Sequence, residues 1–209
     1  MYYYQAILQY DGTDFFGFQW QPGIPTIQNS FNEALNNLIK GKVTTMGASR
    51  TDSGVHALGQ VVKITSDQVI DCSDFIKRLH AILPSQIRCM SISPCEGDFK
   101  PSSDHLSKEY RYLFTNEKFR PACTLRFIPN FANPLDMDAI GICVNKLKGT
   151  HDFKHFFSQG SNVKSTLSFS ETGTMGSRLD SNGSTKVQVS TLDDEVAHAT
   201  FIKMDVEGH

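Results

Sequence analysis

The spacing of apolar residues switches repeatedly between the period of a strand and that of a helix, and this excludes most architectures before any single residue is considered. Residues 2–10 alternate as a strand does, and the turn dipeptide Asp11-Gly12 stops them. Thr26 then stands before Ile27, Phe31, Leu35, Leu38 and Ile39, spaced along one face of a helix that Gly41 would end. Residues 59–65 (G-Q-V-V-K-I-T) form a second strand, Ser73-Asp74 cap a helix through Leu83 that Pro84 closes, and residues 87–92 return as a strand. The second half repeats the scheme. Residues 109–115 alternate, a helix covers about 136–148 and ends at Gly149, and strands lie near 166–175, 186–190 and 197–206, with 177–184 an exposed turn. Strand pairs interleaved with single helices predict an α+β fold of two similar α/β lobes, with a largely antiparallel mixed sheet and helices on one face. The halves meet between residues 99 and 107, giving lobes at 1–105 and 106–209.

A chain of 209 residues is long enough for one large domain or two small ones. With 39% hydrophobic and 20% charged residues it is too apolar to be disordered, and no run is long enough to cross a bilayer. Residues 1–10 lack the cationic and apolar regions of a secretory signal. Cys72, Cys89, Cys95, Cys123 and Cys143 are odd in number and irregularly spaced, which predicts reduced thiols in a cytoplasmic protein. His151 and His155 lie four apart, as zinc ligands on a helix do, but Asp152 follows the first histidine directly and no glutamate stands where a zinc-site base would. No metal is expected there. The formal net charge is −2, so an anionic partner would need a local cluster of cations. Lys108, Arg111, Lys118, Arg120 and Arg126 provide one against Glu109 and Glu117, while Asp193, Asp194, Glu195, Asp205 and Glu207 make the tail acidic.

The segment Arg50-Thr51-Asp52-Ser53-Gly54-Val55-His56-Ala57 is too dense in Arg, Asp, Gly and His for a routine strand connection. An arginine two residues from an aspartate favours the ionised acid and orients it, as a nucleophile or base requires. Gly54 permits positive φ or close approach of a ligand, and Val55 and Ala57 are placed to anchor the loop on a core. On these grounds alone a turn salt bridge and a catalytic carboxylate stand level. Asp52 and His56 as the nucleophile and base of a hydrolase are a third arrangement, but nothing else in the sequence assembles an oxyanion site.

Written out, R-T-D-x-G-V-H-A followed by G-Q-V-V at 59–62 resembles the signature of the tRNA pseudouridine synthase A family. Further matches follow in order. Tyr10-Asp11-Gly12 with Phe16-Gly17-Phe18-Gln19 resembles that family's Y-D-G and Y-x-G-W-Q elements, and Thr26-Ile27-Gln28 its T-x-Q helix start. Tyr110-Arg111-Tyr112 is similar to its Y-R-Y strand, Arg120-Pro121 to the segment after it, and His151-Asp152-Phe153 with Phe156 to its H-D-F-x-x-F element. The resemblance implies the pseudouridine synthase fold, a homodimer, and isomerisation of uridine to pseudouridine in the tRNA anticodon stem-loop without metal or organic cofactor. It makes Asp52 the essential carboxylate, Arg50 a residue that helps turn the target nucleotide out of the stack, and Tyr110 a ring that packs on the flipped uracil. Lys108 and Arg111, beside Tyr110, are candidates for holding phosphates. Extrusion is a chemical necessity, since a stacked base presents neither C5 nor its glycosidic bond to a side chain. Phe15, Phe16, Phe18 and Trp20 are candidates for stacking on RNA, with packing on the core or against a dimer partner as the competing role.

The sequence departs from the family's pattern in three places. Phe99-Lys100-Pro101-Ser102-Ser103-Asp104 replaces F-H-A-R-F-S, so Ser102 stands where an arginine is expected, and Ser168 stands at a second arginine position. The family continues into a G-x-x-F-L-x-x-M-V-R element whose arginine is expected to pair with the aspartate, whereas this sequence ends at Gly208-His209. The expectation is a second lobe lacking its C-terminal part. The alternative function is a catalytically weak or inactive tRNA-binding fragment of the same family.

Overall fold

Alternation along the first strand is the organising feature of the core. Tyr4, Ala6, Leu8 and Tyr10 are buried on one face of β1 (Tyr2–Tyr10), as a period of two requires when only one face meets the interior. The computed structural model describes residues 1–104, 107–114, 122–128, 131, 133–147, 149–152, 166–171, 177–180 and 184–191. The chain divides into two compact units, the first containing Met1–Asp104 and the second beginning at His105.

In the first unit, α1 (Ile27–Leu38) follows β1, capped by Thr26, whose hydroxyl accepts the Asn29 N–H. Its apolar stripe of Ile27, Phe31, Ala34 and Leu35 is buried. Then come β2 (Val43–Gly47), β3 (Ala57–Ser66), α2 (Cys72–Ile82) and β4 (Ile87–Pro94). The strands form one antiparallel sheet in the order β2-β3-β1-β4, with Ala6 opposite Val62 on one side and Ile92 on the other. Phe31 and Leu35 of α1 and Phe75 and Leu79 of α2 enter the same core as Tyr4, Ala6 and Leu8, so both helices cover one face of the sheet. The edge strand β4 carries a bulge. Ile7 pairs with Ser91 but Leu8 with Cys89, so Met90 is an extra residue, and the buried series changes parity from Ile87 and Cys89 to Ile92.

The cap of α2 differs from expectation. Asp71, rather than Ser73 or Asp74, is the N-cap, and its carboxylate accepts the N–H and hydroxyl of Ser73. Both assignments place a short acceptor before the same apolar stripe, and the helix begins one residue earlier because Cys72 is already helical. The strand β2 was not anticipated, since V-T-T-M-G is short and shows little alternation.

The second unit holds β5 (Ser107–Phe114), a 3₁₀ turn (Ala122–Thr124), α3 (Met137–Leu147), β6 (Gly149–Asp152), β7 (Thr166–Glu171), β8 (Ser177–Asp180) and β9 (Ser184–Thr191). Its sheet has the order β5-β8-β9-β7-β6 and is mixed, with β9 parallel to β5 and β7. Asp136 Oδ1 accepts the Ala139 N–H at the start of α3. Residues 177–180 are a strand rather than the exposed turn expected over 177–184. Leu179 pairs with Thr185 of β9 in a local hairpin and lies opposite Lys108 of β5, and the ladder with β5, more than seventy residues away, overrides a local sequence rich in Ser, Asn and Gly. The strand expected at 197–206 lies outside the described residues. Among the described residues no helix is long and apolar enough to cross a membrane.

Candidate active site

Two connections of the first unit meet where β1 ends and β3 begins. One runs from Asp11 to Thr26, the other from Ala48 to His56, and main-chain hydrogen bonds join them. Phe18 N–H donates to the Thr51 carbonyl at 2.9 Å, and Gly54 N–H donates to the Phe15 carbonyl at 3.1 Å. The Ser53 hydroxyl also donates to the Phe15 carbonyl. Val55 N–H closes a turn onto the Asp52 carbonyl at 3.2 Å. The residues on either side of Asp52 are therefore held to a neighbouring loop.

Glycines make that approach possible. Gly17 has φ +88°, and a Cβ there would lie 2.8 Å from the Thr51 carbonyl oxygen. At Gly12 a Cβ would lie 1.9 Å from the Val55 carbonyl oxygen, so the two backbones touch. Gly54, at φ +76°, forms the turn that returns the chain from Asp52 toward β3.

Buried side chains fix the loop from below. The Tyr10 hydroxyl lies 2.8 Å from Thr51 Oγ1, and burial pushes its pKa well above the usual tyrosine value, against smaller opposing effects of hydrogen bonds with Thr51 and Gln60. Gln60, buried on β3, donates from Nε2 to the Ser49 carbonyl at 2.6 Å. Val55 is buried and Ala57 packs against the core, as expected of the loop's anchors. His56 is 2% exposed, with Nδ1 3.2 Å from the Gly12 N–H and 3.1 Å from Asp11 Oδ1. That nitrogen offers a lone pair to Gly12 or a proton to Asp11, and the tautomer decides which. Either way His56 ties the Asp11-Gly12 turn to the loop, and this contact with the turn, missed in the sequence, disfavours a role as the base of a hydrolase.

Arg50 and Asp52 are exposed on this clamped loop. An exposed carboxylate on a backbone fixed from both sides is a group that can act on a bound substrate as nucleophile or base. The aromatic candidates divide. Phe15 and Phe18 are buried at 7% and 2% exposure, whereas Phe16 and Trp20 are exposed at 59% and 54%. Phe18 packs against Gly47 and lies 6.2 Å from the Tyr10 ring, so it belongs to the core. Lys108, Tyr110 and Arg111 lie on β5 of the second unit, with Tyr110 opposite Val187 and Arg111 opposite Gln188. His151 sits on the strand β6 rather than on a helix, which removes the helical geometry considered for a zinc pair, and His155 lies outside the described residues.

Comparison with known proteins bears on the same segment. The family described as tRNA pseudouridine synthase matches residues 6–101, which include both loops. The tRNA pseudouridine synthase A of Acetivibrio thermocellus is 35% identical over 163 residues, 78% of this chain and 67% of that protein. The chain belongs to the tRNA pseudouridine synthase A family. The family's protein from Caldicellulosiruptor saccharolyticus is 34% identical over 160 residues, 77% of this chain and 66% of the relative. That from Listeria monocytogenes serotype 4b is 35% identical over 156 residues, 74% and 63%. The chain thus spans about two thirds of the length of these relatives. The two interlocked loops of this family member lie wholly within residues 6–101, so the clamp around Asp52 is built from the stretch that the family matches.

Proposed function

We propose that the protein isomerises uridine to pseudouridine in the anticodon stem-loop of tRNA, with Asp52 as the essential carboxylate. The observation that carries this reading is an exposed Asp52 on a loop fixed from both sides, in a chain whose relatives are named tRNA pseudouridine synthase A. In the reaction the N1 glycosidic bond of uracil breaks, the base turns, C5 bonds to the ribose in its place and loses its hydrogen to solvent, and N1 takes up a proton. Asp52 supplies the reacting carboxylate, either attacking the ribose or the base, which divides one difficult exchange into two easier steps, or removing a ribose proton. A rigid loop suits this role, because a carboxylate already aimed at its target needs no ordering in the transition state.

Arg50 sits two residues from Asp52 and helps turn the target nucleotide out of the stack, a task that suits a planar guanidinium. Tyr110 covers the uracil face, and Lys108 and Arg111 contact phosphates. The protein acts in the cytoplasm, as a homodimer, on tRNA. No cofactor is assigned.

Release of tritium from C5-labelled uridine in tRNA tests the reading. The unaltered chain is expected to release tritium and Asp52→Ala to lose at least about 10³-fold of the rate, in line with removal of a reacting side chain. Equal release by both proteins removes Asp52 from its role, and RNA binding without release by either leaves a binding protein.

A further inference from the structure

The loop that clamps Asp52 also carries two aromatic side chains that the core does not use. Phe16 and Trp20 are 59% and 54% exposed, although their neighbours Phe15 and Phe18 are almost fully buried. Large apolar rings left in water on a loop held by hydrogen bonds are candidates for recognition.

Their presentation is rigid. Phe16 N–H donates to the Pro25 carbonyl at 2.9 Å, and Trp20 N–H donates to Gln28 Oε1 at 2.8 Å. Gln28 in turn donates from Nε2 to the Thr45 carbonyl, so the backbone of Trp20 is tied through α1 to β2. Asn29 Nδ2 donates to the carbonyls of Gln21 and Ile24, holding the far limb of the loop. An aromatic ring on a fixed backbone loses little freedom when a partner binds, so more of its contact energy becomes affinity.

We propose that Phe16 and Trp20 stack on unpaired nucleobases that flank the target nucleotide, forming an RNA-binding surface continuous with the Asp52 loop. This rests on the proposed function. The continuity is covalent and hydrogen-bonded, since Gly17 lies between the two rings in sequence and packs on Thr51, and Phe18 N–H bonds to the Thr51 carbonyl. An extruded nucleotide leaves neighbouring bases with uncovered faces, and an aromatic ring accepts any of the four. The chemistry between the rings favours RNA over a protein partner. Gln19 and Gln21 are exposed on either side of Trp20, so the apolar surface is interrupted by polar groups rather than continuous as at the centre of a protein interface.

Trp20 is the only tryptophan in the chain, so its fluorescence reports on this residue alone. The experiment titrates Asp52→Asn protein, which binds without turnover, with an anticodon stem-loop RNA, and measures binding separately by anisotropy of labelled RNA. Saturable quenching of Trp20 is expected. In the same background Trp20→Ala weakens RNA binding by about 5- to 150-fold, as expected for loss of one base stack. Trp20→Phe retains most of the affinity, and Phe16→Ala loses a comparable share. Unchanged affinity in both alanine variants overturns the proposal, as does RNA binding that leaves Trp20 unquenched. A Trp20→Ala chain that binds RNA normally but changes its sedimentation assigns the ring to a protein contact and also overturns it. Pseudouridine formation together with unchanged binding by the alanine variants would sink the stacking surface alone. Quenching and weakened binding without any pseudouridine would retain the surface and reject the catalytic reading.

Discussion

At the scale of single residues, the loop around Asp52 depends on atoms that are absent as much as on those present. Gly12→Ala would drive a methyl group into the Val55 carbonyl, a backbone atom with no rotamer to escape into. Gly17→Ala adds a left-handed φ, worth roughly 1–3 kcal/mol of strain, to an approach to Thr51 that is already tight. Both variants should keep the β1–β3 ladder and lose at least about tenfold in the rate of tritium release, a cost that a 1 Å misplacement suffices to explain. Wild-type rates in either would mean that the loop's position does not matter to the reaction. His56 makes a second test at this scale. His56→Ala leaves the buried Gly12 N–H without its acceptor, at a cost of about 1–3 kcal/mol. His56→Asn, whose amide oxygen can take the place of Nδ1, should recover part of that loss in a thermal melt. Equal melting temperatures for the two variants would show that the ring's packing, and not its nitrogen, supports the turn. The positive φ of Gly54 was legible in the sequence, and Asp52 stood out as a candidate, because both sit in one short motif. The roles of Gly12, Gln60 and His56 were not, because each acts on a partner brought near only by pairing β1 with β3.

At the scale of elements, the helices and the longer strands were legible and the short strands were not. Tyr2–Tyr10 and Ile27–Leu38 carry strong period-two and period-3.6 patterns because each buries one face against a core several residues deep. β2 and β8 carry weak ones. Val43–Gly47 is an edge strand whose place is fixed by pairing with β3, and Ser177–Asp180 gains its strand character from β5, more than seventy residues away, as well as from its neighbours β7 and β9. The stability of the first unit should follow the legible elements. Phe31, fully buried on α1, is expected to cost about 3–5 kcal/mol on replacement by alanine. The exposed Met46 on β2 should cost less than about 0.5 kcal/mol. Urea unfolding of the two variants checks the contrast, and a similar loss in both would contradict the placement of the core.

At the scale of the whole molecule, folding sets an alkaline limit that the sequence does not announce. Burial pushes the Cys89 thiol up from an ordinary value of 9.0 to about 12, and it raises the Tyr10 phenol as well. A group whose pKa is raised on folding contributes stability that is complete below its unfolded pKa and is lost as pH rises toward the folded one. For Cys89 the window runs from about 9 to about 12. The melting temperature should therefore fall as pH rises above about 9, and Cys89→Ala should show a shallower fall across pH 9 to 11. The same slope in both proteins would acquit Cys89. The sequence by itself determined most of the alternation of strand and helix and the family, and it singled out Asp52 as the candidate carboxylate, because periodicity and short motifs are properties of neighbours along the chain. The tertiary structure alone decided which aromatic rings are buried and which are presented, and which groups titrate abnormally. Only it showed that the Asp52 loop is clamped by a second loop, because these depend on residues that some forty positions of sequence keep apart and one antiparallel sheet brings together.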